Sequence, residues 1–372
     1  MRSAFDHRTR ALAIASKGHS IVKLTISKGQ TLYLVTQPRK PPTMADVARI
    51  AGVSPMTVSR AFKRDSSMSE ATRENILAAA ANLDYIFDST AANFRSQKTD
   101  FVAVTIPSIN NANFADTVRG LSEGLQDQGL QILLGYTSYD IIEEERLIEQ
   151  LLRRRPGAIV VTGGQHTART RRMLQGAGVP VVETWDLPKD PIGHVVGFSN
   201  ADAMGLLVDH LVTRGCTKIA FIGGDADRDT RGTDRRTGFI ARMRHHRLDA
   251  SRLIAAGAPP ISMREGAQAM GRLIETLPDT EAVICVSDLS AFGALTECQR
   301  RGIRVPHDIS IAGFGDYEIG AVSVPSLTTV NPFPHDIGTR TAALLLDLLG
   351  APTADMRKLA ITPRLILRES SR

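Results

Sequence analysis

The chain has 372 residues, 42% of them hydrophobic, and its 45 Lys and Arg against 39 Asp and Glu give a formal net charge of +6. At roughly 100 to 200 residues per domain this length predicts two or three domains, and the apolar fraction excludes a chain that is disordered throughout. Three scattered cysteines disfavour a disulfide framework, no Cys and His cluster has zinc spacing, and no apolar run approaches the roughly 18 residues of a membrane-spanning helix, so we expect a soluble cytoplasmic protein without a metal site.

The positive charge is concentrated near the N-terminus. Residues 1–42 carry eight Lys or Arg and one Asp, residues 43–98 carry seven and six, and residues 99–372 carry thirty and thirty-two. A basic segment ahead of a nearly neutral body suggests an anionic partner, of which nucleic acid is the usual one. We interpret residues 1–42 as a basic extension that is disordered or arises from a wrongly assigned start codon, although the runs 21–26 and 32–35 could form a small hairpin.

Two short helices are predicted directly after this extension. Thr43 and Asp46 have the spacing of a capping box, and Gly52 stops the helix that they begin. Ser54 can cap the second helix, which has Pro55 at its first position, where the missing N–H costs nothing. Two helices joined by a tight turn form a helix-turn-helix.

A third helix follows, and a fourth is predicted after it. Ser69 can cap the third helix, whose apolar stripe at Ile76, Ala80 and Leu83 packs on the first two. Residues 88–95 could form one more short helix.

After residue 100, short β-branched runs alternate with amphipathic helical stretches. The predicted strands are 101–106, 132–134, 158–161, 179–182, 194–198, 218–222, 282–286 and 309–314, and the helices between them include 115–128, 143–154, 201–214 and 289–301. This alternation predicts parallel sheets with right-handed crossovers and helices on both faces. The length suits two such lobes, and because open α/β sheets bind ligands beyond the carboxyl ends of their strands, we expect a ligand in the cleft between them.

Six stretches of the chain resemble LacI-family transcription regulators. They are TMADVARIAGVSPMTVSRAFKRDSSMSEATRENILAAAANLDYI from residue 43, IPSINNANF from 106, GCTKIAFIGG from 215, VSDLSAFGAL from 286, RVPHDISIAGFGD from 304 and PSLTTV from 325. The resemblance covers residues 43–370. Within the family, HTARTRRMLQGAGVPVVETWD from 166, VGFSNADA from 196 and AFGALTECQRRGIRVP from 291 look most similar to gluconate-utilisation repressors.

The resemblance implies a domain organisation. It predicts a small all-α helix-turn-helix headpiece over residues 43–87, a hinge helix and linker over 88–99, and a two-lobed α/β domain of the type I periplasmic-binding-protein class over 100–372. The first lobe is expected to comprise residues 100–198 and 331–361, and the second residues 199–330 and 362–372. The chain would then cross between the lobes near Phe198 and Ser199, near Val330 and Asn331, and near residues 361–363.

The second helix of the headpiece would read DNA. A recognition helix lays its N-terminal side chains against base edges in the major groove, and here these are Pro55, Met56, Thr57, Ser59 and Arg60. Arg60 can donate two hydrogen bonds to guanine, which is worth about 1 to 3 kcal/mol of discrimination, and a phosphate contact is its alternative. Pro55 and Met56 cannot donate, so they would read shape or thymine methyl groups.

The resemblance also implies that an apolar side chain of each hinge helix enters the minor groove and kinks the operator. Phe94 matches the leucine that does this in the family, and Ala91 lies three residues before it. The departure from leucine, together with Phe87 where the family often has proline, leaves the kink geometry open. Packing of Phe94 into the core is the alternative.

Four effector contacts follow from the resemblance. Arg235 matches the arginine that holds sugar hydroxyls or acidic groups, and its planar donor fork suits a carboxylate. Asp316 would accept hydrogen bonds from ligand hydroxyls, and Ser287 lies where many relatives have Asn. Trp185 would cover a sugar ring at the mouth of the cleft. Its alternative is a half-buried position in an interface.

Further contacts are expected from two loops. Asn110, Asn113 and Phe114 lie on the first loop, where they either contact the ligand or only shape the turn. His166 follows a predicted strand and precedes a helix N-terminus that favours anions, with an exposed loop position as its alternative. Arg235, His166 and this helix end together favour an acidic sugar over a neutral one.

These observations predict a homodimeric repressor that binds a pseudo-palindromic double-stranded DNA operator and is released by a sugar acid such as gluconate. We expect no catalytic residue, no cofactor and no membrane partner, and a nucleoid-associated protein in the cytoplasm. A LacI-type regulator of a different sugar, or one that acts with a corepressor, remains open. An α/β sugar-metabolising enzyme lacks GxxxxGK[ST], GxGxxG and GxSxG motifs here, and a solute-binding protein would not carry the headpiece.

Overall fold

The computed structural model describes residues 40–62, 67–87, 99–224, 230–351, 353 and 355–372, with the backbone alone for Thr230 and for three strands between residues 11 and 35. The chain divides into two compact units, Met1–Ser96 and Gln97–Arg372. Within the described residues no helix combines the length and the apolar character that crossing a membrane requires.

Three N-terminal strands form an antiparallel sheet in the order β1-β2-β3. They are β1 (Ala11–Ser16), β2 (His19–Ile26) and β3 (Gln30–Val35). The described parts of residues 11–35 are therefore strands, whereas the sequence predicts disorder there with a small hairpin as the alternative. Strands β2 and β3 contain the two β-branched runs of the expected hairpin, whereas β1 is rich in Ala, which has low strand propensity and gave no signal.

The headpiece consists of three helices, α1 (Met44–Ala51), α2 (Pro55–Ala61) and α3 (Glu70–Asn82). The predicted capping box is confirmed, because the Thr43 N–H donates to the Asp46 carboxylate at 3.0 Å and the Asp46 N–H donates to Thr43 Oγ1 at 3.4 Å. Gly52 ends α1 with a φ of +69°, a conformation that favours glycine. Val47, Val58 and Ile76 are fully buried and hold the three helices together.

The last residue of the predicted headpiece makes an aromatic contact. The ring of Phe87 stacks on that of Phe62 with centroids 4.8 Å apart and an interplanar angle of 10°. The departure from proline at this position therefore contributes packing to the headpiece. The predicted hinge residues Ala91 and Phe94 lie outside the described residues.

The second unit alternates strands and helices. Its strands are β4 (Phe101–Ile106), β5 (Gln131–Tyr136), β6 (Ala158–Thr162), β7 (Val181–Thr184), β8 (His194–Gly197), β9 (Ile219–Gly223), β10 (Leu253–Ala255), β11 (Ala282–Cys285), β12 (Ser310–Ala312), β13 (Thr329–Asn331), β14 (Lys358–Ala360) and β15 (Arg364–Ile366). Its helices are α4 (Ala112–Gln126), α5 (Ile141–Arg153), α6 (Ala168–Gln175), α7 (Asn200–Thr213), α8 (Thr230–His245), α9 (Met263–Thr276), α10 (Asp288–Arg300), α11 (Glu318–Val322) and α12 (Pro334–Gly350).

Two parallel sheets define two lobes. The first lobe is built on a six-stranded sheet in the order β14-β8-β7-β6-β4-β5, and the second on a four-stranded sheet in the order β10-β9-β11-β12. Every residue of β7, β9 and β11 is buried. Strands buried on both faces require helices on each side, which explains the continuous apolar runs of β9 and β11.

The chain passes between the sheets after β8, at β13 and between β14 and β15. Strands β13 and β15 pair antiparallel, with Thr329 opposite Ile366 and Asn331 opposite Arg364. After β13 the chain returns to the first lobe, where α12 packs on α4. Gly338 lets these helices approach closely, because an added Cβ would collide with the Thr117 carbonyl.

Candidate functional site

The second helix of the headpiece presents its N-terminal half to solvent. Pro55, Met56 and Arg60 are exposed, and Thr57 and Ser59 are half-buried. Met56 has 60% of its surface accessible, which is unusual for a large apolar side chain unless it forms part of a contact surface.

Buried residues on the opposite side orient this surface. Val58 and Ala61 are fully buried against the other two helices. Ser54 caps the helix, because its Oγ accepts the N–H of Thr57 at 3.2 Å. The helix therefore has one fixed face in the core, and the five residues predicted to contact DNA lie on or beside the other.

A cavity of about 180 Å³ lies between the two lobes of the second unit. Its walls are the segments that follow β4, β5, β7, β9, β10, β11 and β12, so both sheets contribute the carboxyl ends of their strands. This is where ligands bind in open α/β sheets. Six of the residues predicted to bind the effector line it: Asn110, Asn113, Phe114, Trp185, Arg235 and Ser287.

The cavity also contains residues that the sequence did not identify. They include Ser108, Asn111, Tyr139, Arg231, Leu289, Phe314 and Tyr317, and the segment 259–262. Arg231 lies one helical turn before Arg235 on α8, so the i and i+4 spacing within one arginine-rich helix was a signal that could have been used.

The Arg235 guanidinium is fixed against the wall of the cavity. Its Nε donates to Asn200 Oδ1 at 3.0 Å, and Nη1 donates to the Val286 carbonyl at 2.9 Å. The guanidinium carbon lies 3.7 Å from the ring centroid of Phe314, which is a cation–π distance. These contacts hold the side chain in one orientation before any ligand arrives.

The Arg231 side chain is buried but lacks, among the described residues, the hydrogen-bond acceptors that hold Arg235. It is only 6% exposed, and its guanidinium carbon lies 5.6 Å from the ring centroid of Phe114. Within the described ranges no oxygen accepts a hydrogen bond from it. Burial raises the pKa of Asp186, and the positive charge of Arg231 opposes that rise, so the two groups interact without forming an ion pair.

One hydrogen bond crosses the cavity between the lobes. The Tyr317 hydroxyl of the second lobe donates to Asn111 Oδ1 of the first at 2.7 Å. The Tyr317 loop is held by Asp288, whose carboxylate accepts the Tyr317 N–H at 2.8 Å and the Thr329 hydroxyl at 2.6 Å. Asp288 is fully buried, and this burial raises its pKa to about 6.

Asp316 does not line the cavity, contrary to the sequence-based expectation. Its carboxylate accepts hydrogen bonds from Arg368 Nη2 at 2.5 Å and from Asn331 Nδ2 at 2.8 Å. Asn331 belongs to β13, where the chain crosses between the lobes, and Arg368 follows β15. The turn that contains Gly315 and Asp316 has positive φ at both residues and leaves Phe314 and Tyr317 in the cavity wall instead.

His166 is also outside the cavity, and it is not exposed. Its side chain is buried, with Nδ1 2.7 Å from Glu144 Oε2 and Nε2 3.6 Å from Glu183 Oε1. Burial disfavours the charged imidazole, but the hydrogen bond with Glu144 and the negative charges of Glu144 and Glu183 outweigh it and raise the pKa of His166 to about 9. The side chain thus ties α5 and β7 together within the first lobe.

Trp185 lines the cavity from within the core, whereas the sequence placed it at the mouth. It is 2% exposed, and its indole N–H donates to Thr117 Oγ1 at 3.1 Å. Edge-to-face contacts join its ring to Phe114 at 5.1 Å and to Phe198 at 5.8 Å. The indole therefore supports the floor of the cavity and does not act as a cover.

Comparison with known proteins agrees with these features. Residues 43–88 match the family profile of bacterial regulatory proteins of the lacI family, and residues 208–371 match that of a periplasmic binding protein-like domain. The HTH-type transcriptional regulator GntR of Pseudomonas aeruginosa is 33% identical over 330 residues, which cover 89% of this chain and 96% of that protein. GntR of Escherichia coli is 32% identical over 336 residues, covering 88% and 96%.

Solved structures give the same result. A LacI family transcriptional regulator from Silicibacter pomeroyi is 42% identical with a TM-score of 0.70, and the match covers 73% of this chain and 99% of that one. The transcription regulator GntR from Chromobacterium violaceum is 36% identical with a TM-score of 0.67 and the same coverage of 73% and 99%.

Proposed function

The chain belongs to the LacI family of DNA-binding transcriptional regulators, and on that premise we propose that it is a repressor released from its operator by a small sugar acid such as gluconate. The observation that carries the proposal is the composition of the interlobe cavity. Two arginines, Arg231 and Arg235, line it, and no Asp or Glu from the described parts of the chain does. A cavity with this charge favours an anion over a neutral sugar, because a guanidinium binds a carboxylate through paired, charge-assisted hydrogen bonds.

The size of the cavity limits the ligand further. Its volume of about 180 Å³ is below the range of about 300 to 1,000 Å³ that is typical of drug-sized ligands. The asparagines at positions 110, 111 and 113, together with Ser287 and Tyr317, supply neutral donors and acceptors for hydroxyl groups. A six-carbon sugar acid matches both the size and the polarity.

For the DNA end of the molecule, we propose that Pro55, Met56, Thr57, Ser59 and Arg60 read an operator half-site. In our proposal the headpiece spans residues 43–87, the hinge 88–99 and the effector domain 100–372. Two copies would form a homodimer on a pseudo-palindromic operator, and effector binding would oppose operator binding by linkage.

Operator binding with and without effector tests this proposal. Fluorescence anisotropy with DNA from the protein's own upstream region would be measured alone, with gluconate, and with the uncharged polyol glucitol. We expect gluconate to weaken operator binding at least about tenfold, a typical allosteric coupling, and glucitol to have a much smaller effect because it binds more weakly. Operator binding that gluconate leaves unchanged would remove gluconate as the effector, and tighter binding with gluconate would make it a corepressor.

A pair of substitutions on one helix controls for loss of structure. Arg235→Lys changes a donor in the cavity wall, whereas Arg236→Lys makes the same change at a neighbour that does not line the cavity. We expect only Arg235→Lys to abolish the response to gluconate while basal operator binding persists. If gluconate weakens operator binding equally in both variants, the effector binds outside this cavity.

A further inference from the structure

We propose that Arg231 is the residue that selects an anionic effector, and that Arg235 acts mainly as a fixed donor to hydroxyl or carboxylate oxygens in the wall. This inference rests on the proposed function, since it concerns the same cavity. It names the chemical group that is recognised, a carboxylate, and the side chain that recognises it.

Arg235 already has partners in the ligand-free protein. Asn200 and the Val286 carbonyl occupy donors on Nε and Nη1, and the Phe314 ring covers one face of the guanidinium. Binding a ligand there adds hydrogen bonds to a group that is already satisfied and oriented. Such a group positions the ligand, and we expect it to bind a neutral hydroxyl and a carboxylate with similar strength.

Arg231 has no comparable partner. Its side chain is almost as inaccessible as that of a core residue, and in the described part of the molecule it makes only the cation–π contact with Phe114 and a longer-range interaction with Asp186. A charge with little access to water and no hydrogen-bonded counter-ion is unfavourable, because the loss of hydration is not compensated. A ligand carboxylate that reaches Arg231 removes that cost, and a neutral hydroxyl does not.

The surroundings of Arg231 are built to admit its guanidinium. Gly163, which follows β6, has a φ of +102°, and a Cβ added there would lie 2.9 Å from Arg231 Nη1. Arg231 belongs to α8 of the second lobe, whereas Gly163 and Phe114 belong to the first. The guanidinium therefore extends across the cleft, and a carboxylate bound to it would contact both lobes.

Replacing Arg231 should change the preference of the cavity for gluconate over glucitol. In isothermal titration calorimetry of the full chain, Arg231→Met should weaken gluconate binding about 100-fold, the loss of a charged hydrogen-bonding partner, and leave glucitol binding unchanged. Arg231→Lys keeps the charge but loses the planar donor fork, so its gluconate affinity should lie between those of wild type and Arg231→Met. Arg235→Met should weaken both ligands. Equal losses for gluconate and glucitol in Arg231→Met would overturn the inference.

A ligand-independent measurement separates failure of the inference from failure of the proposed function. If Arg231 is an uncompensated charge, Arg231→Met should raise the melting temperature of the ligand-free protein, and inorganic sulfate should raise it for wild type but not for the variant. If both melting-temperature results are obtained but gluconate does not bind, gluconate is excluded as the effector and the role of Arg231 in anion binding is retained.

A lower melting temperature of Arg231→Met would indicate that Arg231 has a counter-ion in the ligand-free protein. Asp225, Asp227 and Asp229 precede α8 in the sequence and lie outside the described residues. If one of them pairs with Arg231 in the ligand-free protein, Arg231→Met should lower the melting temperature or fail to fold. Either result overturns the inference and makes Arg231 a structural residue.

Discussion

Replacing His166 by Gln should reduce the stability of the protein in a pH-dependent way and leave effector binding unchanged. The wild-type imidazole is buried between Glu144 and Glu183, and it has no place in the cavity wall. Gln removes the positive charge and keeps a polar side chain. The sequence predicts the reverse result, a loss of effector affinity, because it places His166 at the ligand.

The magnitude follows from the pKa shift. The pKa of His166 is raised from 6.5 to about 9, and each pKa unit corresponds to about 1.4 kcal/mol, so protonated His166 contributes about 3 kcal/mol to folding. Because the folded-state pKa lies above the unfolded one, this contribution is fully present below pH 6.5. It is lost progressively as pH rises through 9.

Urea unfolding at pH 6, 8 and 10, followed by circular dichroism, measures this directly. The wild type should exceed His166→Gln by about 3 kcal/mol more at pH 6 than at pH 10. His335→Gln is the matched control, since His335 lies 2.8 Å from Glu123 but both side chains are exposed. An exposed pair of this kind contributes about 0 to 1 kcal/mol.

Two results would refute this reasoning. A difference between wild type and His166→Gln that is the same at all three pH values would mean that the imidazole is neutral when buried. A tenfold loss of gluconate affinity with unchanged stability would return His166 to the effector site.

Three other changes have defined outcomes. Arg60→Ala should weaken operator binding by about 1 to 3 kcal/mol and relax preference at one base pair, measured by anisotropy on operators with single substitutions; uniform weakening on every sequence would indicate a phosphate contact. Asp288→Asn should gain about 2 to 3 kcal/mol relative to wild type between pH 4 and 7 in urea unfolding, because burial raises the pKa of Asp288 from 3.8 to about 6 and the wild type therefore loses stability as the pH rises between these two values; a flat difference would show that Asp288 is ionised without penalty. Deleting residues 1–42, which carry eight Lys or Arg and one Asp, should weaken non-specific DNA binding and flatten its dependence on salt without changing operator preference; an altered preference would give this segment a role in base recognition.

The fold was predictable where a local signal and the tertiary structure agree. The caps at Thr43, Ser54 and Ser69 are found, and each of the eight predicted strands is present with ends displaced by a few residues at most. Helix α8 has no counterpart among the helices predicted from the sequence. The segment of α8 contains many Arg, Gly and Thr residues, so its apolar periodicity is weak, and it is packing on the second sheet that makes it helical.

The candidate site was predictable only in part, because sequence places a residue on an element but does not fix the direction of its side chain. Arg235 and Ser287 follow directly from their motifs and line the cavity. Asp316 lies one residue from Gly315, and the positive φ at both positions turns its carboxylate towards Arg368. His166 is at the predicted strand end, but two glutamates distant in sequence determine its environment.

The distribution of charge distinguishes the two recognition tasks of this protein. Residues 43–98 carry seven Lys or Arg against six Asp or Glu, so bulk attraction to DNA cannot supply most of the operator affinity of the headpiece. We expect that affinity to depend on placed contacts such as the proposed one of Arg60 and on the use of two half-sites, and its salt dependence to reflect a modest number of phosphates. In the cavity the situation is the opposite, since Arg231 and Arg235 concentrate two positive charges in its wall and Arg231 is buried. One charged group on a small ligand can therefore have a larger effect there than several on the exposed surface, because the interior screens it less.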